Sequence, residues 1–203
     1  MKMNSPYIGK FRVSQGFRPP ENPSHDGIDL VGIDSKEIHA TVSGTVHFAG
    51  WENANDHTQG FGQYVCIRST DGLFYYYGHM SELKVKTGDL VACTDVIGIE
   101  GSTGHSTGNH CHYEIRNAFY KGAKVYDVCN MSGIPNVQGG TYDDGYRPSL
   151  QTVITPSLYN ESDIKVLQTA LNSHGYNCGA VDGAIGPKTT ASMFSALYDL
   201  WSL

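Results

Sequence analysis

The sequence lacks several features that mark common classes of partner. It has no run of 18 apolar residues and no apolar segment of a signal peptide at its start, so neither a membrane span nor a leader is expected. Long runs of lysine or arginine are missing too, and the formal net charge is −6, which argues against nucleic acid as the main partner. We therefore expect synthesis in the cytoplasm and no membrane or nucleic-acid partner.

Cysteine is also sparse. The five cysteines are odd in number, are scattered along the chain and form no C-x-x-C pair. A disulfide framework and a thiolate zinc site are therefore both disfavoured, and reduced thiols suit a protein made in the cytoplasm.

Glycine, tyrosine and short β-forming runs are what the chain has in quantity. It contains 24 glycines and 13 tyrosines. The clearest predicted strands cover residues 42–51, 63–69, 73–79 and 95–100, separated by Gly, Asp and Asn turns. Because some of these turns are short and polar, the strands are expected to pair as antiparallel hairpins.

The pattern changes near the C-terminus. Residues 136–156 are rich in Gly, Pro, Asn, Asp and Thr, which is typical of a linker. Residues 161–172 then have helical periodicity, with Ser162 or Asp163 as the N-cap and Gly175 as a stop, and a second helical run covers 188–200.

The fold class predicted from these patterns is mainly β. An antiparallel β-sheet domain is expected over residues 1–135, a linker over 136–156 and a small all-α domain over 157–203. About 45 residues would be a marginal independent core for the second domain.

Histidine and aspartate form the candidate chemical site. His110 and His112 flank Cys111 in an extended segment, so their side chains project from one face about 7 Å apart. One of them can bind a cation while its neighbour reaches a water beside the metal. His25 and Asp29 complete a candidate His/Asp/His ligand set with an open fourth position, which is typical of catalytic zinc.

The spacing of His25 and Asp29 is weak evidence when taken alone. Four residues on a straight strand span about 13 Å, but Gly27 permits a bend that brings both side chains to one point. The more ordinary interpretation is a polar loop in which His25 or Asp26 caps a turn. His79, which follows the apolar run 74–77, would by itself be an ordinary surface or packed histidine.

Cys111 has two interpretations. As the central residue of the strand it points toward the core, where it acts as a small hydrophobe. The rival is a nucleophile with a flanking histidine as base, which the divergence of same-strand neighbours disfavours. Structural or loop roles are assigned to the remaining histidines, which are His39, His47, His57, His105 and His174.

Four segments carry a resemblance to a known family. They are residues 25–29 (HDGID), 44–51 (GTVHFAGW), 77–80 (YGHM) and 98–115 (GIEGSTGHSTGNHCHYEI). In this order they resemble the lysostaphin-type, or LytM-like, zinc endopeptidases of family M23, over roughly residues 10–130.

The resemblance implies roles for five residues. His25, Asp29 and His112 would hold one zinc ion, and His79 and His110 would be the catalytic histidines beside it. Some members carry a tyrosine shortly before the first ligand that assists the oxyanion, and residues 17–24 contain none. That assistance would come from a histidine, Arg18 or a backbone amide.

The C-terminal residues carry a second resemblance. Residues 158–203 are similar to the small helical peptidoglycan-binding domain of many wall hydrolases, on the segments 163–172 (DIKVLQTALN), 175–176 (GY) and 181–189 (VDGAIGPKT). A helical dimerisation or capping segment is the alternative.

Together the two resemblances imply a peptidoglycan hydrolase that cleaves a peptide bond in the stem or cross-bridge of the bacterial wall, and its layout suits a phage or prophage lysin. Two alternatives stay open. The first is a non-enzymatic wall-binding or activator module. The second is a wall amidase or glycosidase, although a glycosidase needs paired carboxylates and only Glu100 and Glu114 flank the site region.

Overall fold

The computed structural model of the protein divides into two compact units, Met1–Arg147 and Pro148–Leu203. The residues that it describes are 4–120, 122–145, 161–186, 188–193 and 195. The first unit contains the short helix α1 (Val128–Ser132) and twelve strands among its described residues. The strands are β1 (Lys10–Gln15), β2 (Ile28–Gly32), β3 (Glu37–His39), β4 (Gly44–Trp51), β5 (Gln63–Ser69), β6 (Phe74–Gly78), β7 (Glu82–Leu83), β8 (Leu90–Val91), β9 (Val96–Ile99), β10 (Cys111–Arg116), β11 (Val125–Tyr126) and β12 (Thr141–Asp143).

The strands form two antiparallel sheets. The large sheet has the order β12-β1-β2-β10-β6-β5-β4-β8, with β11 also paired to β10, and the small sheet has the order β3-β9-β7. The mainly β, antiparallel prediction is confirmed. The strands predicted at 42–51, 63–69, 73–79 and 95–100 correspond to β4, β5, β6 and β9 within two residues at each end.

Alternation of side chains gives the large sheet two different faces. One face covers the main core, which includes Leu30, Val65, Tyr77 and Tyr113, all fully buried. The other face carries a smaller aromatic cluster built on Tyr64 and Tyr76, together with the polar side chains described below. Because strand residues alternate with a period of two, the core residues dictate which polar residues share the outer face.

Part of the stretch predicted as a linker lies within the first unit. Thr141–Asp143 pairs with β1 as β12. Residues 146–156 lie outside the described residues.

The second unit is helical where it is described. Helix α2 (Glu161–Ser173) is followed by Gly175 at φ +86°, a conformation that suits a glycine after a helix end. Residues 188–193 are helical too, within the second predicted helical run. The side chains of Ser162 and Asp163, predicted as alternative N-caps, lie outside the described residues.

Inside this unit one buried side chain ties the helix to a loop. The amide of Gln168 donates to the Asp182 carboxylate and to the Ala184 carbonyl, and its oxygen accepts from the Gly183 amide. Gln168 is 1% exposed, so leaving its amide without hydrogen-bond partners would be costly. No helix among the described residues of either unit is long and apolar enough to cross a bilayer.

Candidate metal centre and active-site cleft

The register of β2 and β10 brings the first two candidate ligands together. Asp29 on β2 lies directly opposite His112 on β10, and the Asp29 Oδ1 is 2.8 Å from the His112 Nδ1. Both residues project from the outer face of the large sheet, since their neighbours Leu30 and Tyr113 are buried in the core. Strand pairing therefore joins residues that are 83 positions apart in the chain.

His25 reaches the same point from the loop before β2. Its ring Nδ1 donates to the Gly16 carbonyl over 2.7 Å, and its backbone bonds to Arg18 and Asn22. The free ring nitrogen, Nε2, lies 3.0 Å from the Asp29 Oδ1 and 3.2 Å from the His112 Nδ1. A loop that is closed by its own backbone bonds thus holds the third candidate ligand.

These three atoms fit a small cation. Their separations of 2.8, 3.0 and 3.2 Å are close to the edge of a tetrahedron with bonds of about 2 Å, which is about 3.3 Å. Two of the atoms, the His25 Nε2 and the Asp29 Oδ1, are both hydrogen-bond acceptors, and they repel each other unless a proton or a cation lies between them. The donor set, two imidazoles and one carboxylate, is one that zinc binds in catalytic sites.

A buried carboxylate sets the tautomer of His112. The Glu114 Oε2 lies 3.2 Å from the His112 Nε2 and accepts a hydrogen bond from its N–H, so that in the neutral ring the Nδ1 lone pair is the one available to a metal. The other Glu114 oxygen accepts from the Arg116 Nε. Metal-binding histidines commonly donate their second N–H to a carboxylate in this way, which orients the ring and increases its basicity.

The electrostatics of the pair favour its charged form. Burial alone would raise the pKa of Asp29, but hydrogen bonds to His112 and His25 outweigh it and hold that pKa well below its usual range. Burial opposes ionisation of His112, yet hydrogen bonds to Asp29 and Glu114 raise its pKa to about 9. A metal that binds the His112 Nδ1 near neutral pH must therefore displace a proton.

His79 and His110 lie beside this triangle. The ring centroids of the two histidines are 4.6 Å apart, and the His110 Nε2 is 3.6 Å from the Asp29 Oδ2. The His79 Nδ1 donates to the Thr103 carbonyl over 2.7 Å. The His110 Nδ1 donates to the Gly108 carbonyl over 2.8 Å. In the neutral form of each ring, this bond leaves the Nε2 lone pair free to accept a proton and later donate it.

The backbone of His79 is in an unusual conformation. Its φ is +64°, in the left-handed region that a branched or bulky residue seldom occupies. Bonds on both sides keep it there, because the His79 amide donates to the Phe61 carbonyl and the next amide, of Met80, donates to the Gln63 carbonyl. Such strain is common at active sites, where the surrounding structure holds a side chain in place. Burial, followed by the charges of His112 and His110, lowers the pKa of His79 to about 4, which keeps the ring neutral at neutral pH.

Thr103 connects the His79 segment to the loop before β10. Its hydroxyl donates to the Met80 carbonyl and accepts from the Gln63 amide, while its own carbonyl accepts from His79. Gly104 next to it, at φ +73°, lies so close to Gly62 that a Cβ on it would be 2.2 Å from the Gly62 nitrogen. Glycine permits this contact, which brings the loop against its neighbour.

Gly27 has a spatial role that differs from the predicted one. The prediction gave it a bend between His25 and Asp29. In the structure a Cβ at this position would lie 2.5 Å from the His112 Nε2 and 2.8 Å from the Tyr113 carbonyl oxygen. Gly27 is needed because the ring of His112 occupies that space.

The site opens into a cleft of about 750 Å³. All five predicted site residues line it, and so do His105, Glu52, Arg116 and several aromatic side chains. Arg18, one of the candidates for oxyanion assistance, is paired with Asp26 at 2.6 Å and is not among the lining residues. Cys111 is fully buried on the core face as predicted, and burial holds its pKa well above the usual range, which does not suit a nucleophile.

Sequence reasoning missed the roles of Glu114 and Arg116. Glu114 was noted only as a carboxylate near the site, and Arg116 was not considered. The available signal was the period of two on β10, which places His112, Glu114 and Arg116 on one face. Glu100, the other carboxylate noted from the sequence, bonds instead to Tyr7, Gly32 and Lys36 and does not line the cleft.

The sequence model of peptidase family M23 matches residues 23–126, which contain all five site residues. The match covers about half of the chain, and the chain belongs to this family.

Curated relatives match about half of the chain. The chain is 37% identical over 92 residues to the DD-carboxypeptidase/endopeptidase Mpg of Neisseria meningitidis serogroup B, covering 45% of this chain and 20% of that protein. It is 35% identical over 113 residues to lysostaphin of Staphylococcus simulans, covering 53% of this chain and 22% of that protein. It is 31% identical over 125 residues to the peptidoglycan DD-endopeptidase ShyC of Vibrio cholerae, covering 58% and 28%. The chain thus spans less than a third of the length of each of these relatives.

Solved structures are similar over about three fifths of the chain. The catalytic domain of lysostaphin from Staphylococcus simulans has a TM-score of 0.50 at 29% identity and covers 61% of this chain and 91% of that one. The catalytic domain of a prophage-encoded M23 protein from Enterococcus faecalis has a TM-score of 0.51 at 30% identity, and the match covers 61% of this chain and 94% of that one. A zinc-containing peptidase from Vibrio cholerae has a TM-score of 0.50 at 26% identity, covering 62% and 38%.

Proposed function

We propose that the first unit is a zinc-dependent endopeptidase that hydrolyses a peptide bond in the stem or cross-bridge of bacterial peptidoglycan. One observation carries the proposal. Three candidate ligand atoms of His25, Asp29 and His112 form a triangle with edges near 3 Å, and the rings of two further histidines, His79 and His110, lie beside it in an open cleft.

In this proposal the metal belongs to the triangle. His25, through Nε2, Asp29, through Oδ1, and His112, through Nδ1, would hold one zinc ion. When bound there, zinc supplies Lewis acidity, which polarises a peptide carbonyl and makes water acidic enough to ionise near neutral pH.

His79 and His110 handle protons and orientation. Because each ring is fixed by its Nδ1–H to a backbone carbonyl, its Nε2 can orient the attacking water and accept a proton from it. Once protonated, the same nitrogen is a donor, and it can stabilise the oxyanion of the tetrahedral intermediate or pass the proton to the leaving amine. A neutral His79 suits the first of these steps.

The names of the relatives support the substrate class. One of the three curated relatives is a peptidoglycan DD-endopeptidase and another a DD-carboxypeptidase/endopeptidase. A zinc-containing peptidase is among the similar structures. The two carboxylates noted from the sequence do not form a glycosidase pair, since Glu100 lies away from the cleft and Glu114 is bonded to His112 and Arg116.

The non-enzymatic alternative makes a different prediction for metal and activity. His25→Ala, Asp29→Ala and His112→Ala should each lose zinc and activity together, because two remaining ligands are too few. His79→Ala and His110→Ala should keep zinc and lose wall cleavage. The measurements are metal content after dialysis and mass spectrometry of the muropeptides released from purified peptidoglycan.

A matched control is His57→Ala. His57 is exposed, stacks on Trp51 and does not line the cleft, so this variant should keep both zinc and activity. A wild-type protein that binds no zinc, or binds it and releases no muropeptide, would contradict the proposal and favour the wall-binding module. Released disaccharides or intact stem peptides would instead indicate glycosidase or amidase chemistry.

We further propose that the C-terminal unit binds peptidoglycan and that the whole chain acts as a bacteriolytic phage or prophage lysin. Tethering to an insoluble polymer raises the effective concentration of enzyme at its substrate. Likeness to a prophage-encoded M23 protein supports this setting.

The tethering role can be tested by truncation after Thr155. The shortened protein should cleave soluble muropeptides at close to the full rate and lyse intact walls more slowly. An equal loss of activity on soluble muropeptides and on intact walls would indicate that the C-terminal unit has a structural role. Unchanged activity on both substrates would contradict a binding role.

A further inference from the structure

Arg116 lies at the end of β10, on the same face as His112 and Glu114. It is four positions after His112, so its Cα is roughly 13 Å further along the strand. It lines the cleft. A substrate that runs along β10 from the candidate metal centre would therefore pass Arg116 a few residues from the bond that is cleaved.

The guanidinium of Arg116 is held in one orientation. Its Nε donates to Glu114, and its plane lies over two aromatic rings, with the central carbon 5.5 Å from the Phe61 centroid and 4.9 Å from the Tyr76 centroid. The side chain is only 17% exposed. An arginine that is stacked and paired in this way has lost most of its rotamer entropy before any ligand binds.

The outer edge of this guanidinium is free for a ligand. No described residue accepts a hydrogen bond from either Nη, and Glu114 is the one ion-pair partner found for Arg116 among the described residues. No fully buried side-chain N or O atom of the described residues lacks a partner. Both Nη groups must therefore be accessible to solvent, and the opening available to them is the cleft.

The chemistry of the cleft favours an anion at this position. Of the described residues that line the cleft, Arg116 is the one lysine or arginine. The two terminal nitrogens of a fixed guanidinium match the two oxygens of a carboxylate, and such paired bonds are among the stronger polar contacts in proteins. The ring of Tyr76 lies against the guanidinium on one side.

We propose that Arg116 is a specificity residue that binds a free carboxylate of the peptide substrate, a few residues from the scissile bond. The proposal rests on the proposed function. It deepens that function by naming a substrate class, peptides that keep a free carboxylate at this position rather than an amidated one.

The test uses two soluble muropeptides that are identical except that one carboxylate is replaced by a carboxamide. The wild-type, zinc-loaded protein should prefer the carboxylate form by about ten- to a hundredfold in kcat/KM, the range expected for hydrogen bonds to a charged group. Arg116→Gln should reduce this preference to less than about threefold. Arg116→Lys keeps the charge but loses the paired geometry, and its preference should be intermediate.

Two controls separate substrate binding from effects on the metal centre. Zinc content is measured for every variant, because Arg116 contacts Glu114. Arg68→Gln removes an exposed arginine of β5 that does not line the cleft, and it should keep the wild-type preference. If the wild type cleaves both peptides equally, or if Arg116→Gln keeps the full preference, the proposal is wrong.

A binding measurement distinguishes this failure from failure of the proposed function. The affinities of the two peptides are compared on the full-length His110→Ala variant with and without Arg116→Gln. Tighter binding of the carboxylate peptide that is lost with Arg116→Gln supports the carboxylate site, whether or not the wild type cleaves the peptides. If the wild type cleaves neither peptide, the proposed function alone is overturned. Cleavage of both peptides without any preference would overturn the carboxylate site alone.

Discussion

Glu114→Gln tests whether the buried carboxylate behind His112 contributes to metal binding. The carboxylate of Glu114 accepts from His112 on one oxygen and from Arg116 on the other, and its side chain is 2% exposed. Glutamine has the same shape but one acceptor and one donor, so it can satisfy one of these N–H groups and must oppose the other.

The magnitude follows from these contacts. Loss of a carboxylate partner of a metal-binding histidine costs about ten- to a hundredfold in metal affinity. Loss of a buried charge-assisted hydrogen bond costs about 1.5–3 kcal/mol of unfolding free energy. Glu114→Gln should therefore bind zinc about ten- to a hundredfold more weakly and unfold at lower denaturant concentration, while it keeps its β-sheet circular dichroism spectrum.

Glu100→Gln is the matched control. Glu100 is an equally buried carboxylate, 4% exposed against 1% for Glu114, but it bonds to Tyr7, Gly32 and Lys36 away from the cleft. This variant should lose stability and retain zinc affinity. The assay is competition with a zinc-binding chromophore at fixed pH. Wild-type affinity in Glu114→Gln, or an equal loss of affinity in both variants, would refute the reasoning.

Three further outcomes are expected. Cys111→Val should retain activity at a stability cost below about 1.5 kcal/mol, because the swap nearly conserves volume in the core; a folded but inactive variant would revive the thiol nucleophile. Since the pKa of His112 is raised to about 9, zinc uptake at neutral pH should release about one proton from this ring, in addition to any proton from water on the zinc, and well above pH 9 the ring should contribute none. Calorimetry in buffers of different ionisation enthalpy measures the proton count, and no release at neutral pH would contradict the assignment. Thr103→Val removes the hydroxyl that anchors the His79 segment, so it should lower kcat about ten- to a hundredfold with KM and zinc content unchanged. A change in KM alone would argue against a positioning role for Thr103.

Local patterns in the sequence were sufficient for the architecture of the strands. Apolar alternation predicted β4, β5, β6 and β9, and a change to helical periodicity predicted α2. The strands β1 and β2 were not singled out. The short strands β3, β7, β8, β11 and β12 were not predicted either, because two or three residues carry too little periodicity to be distinguished from a loop. β12 in particular forms because β1 offers it a free edge, which is a property of the sheet rather than of residues 141–143.

The sequence by itself also determined which residue types are available for chemistry, and that His110 and His112 share a face. Spacing alone left open which of the two would meet His25 and Asp29, and the resemblance to family M23 pointed to His112. In the structure the register between strands decides which histidine meets Asp29. Strand β10 pairs with β2 so that His112 lies opposite Asp29. On its other side β10 pairs with β6 so that His112 lies opposite Gly78, which has no side chain to obstruct the ring. A shift of one residue would turn the histidines toward the core and Cys111 toward the cleft. That register depends on core packing by Leu30, Tyr77 and Tyr113, residues that are far apart in the chain, so it could be fixed only by the tertiary structure.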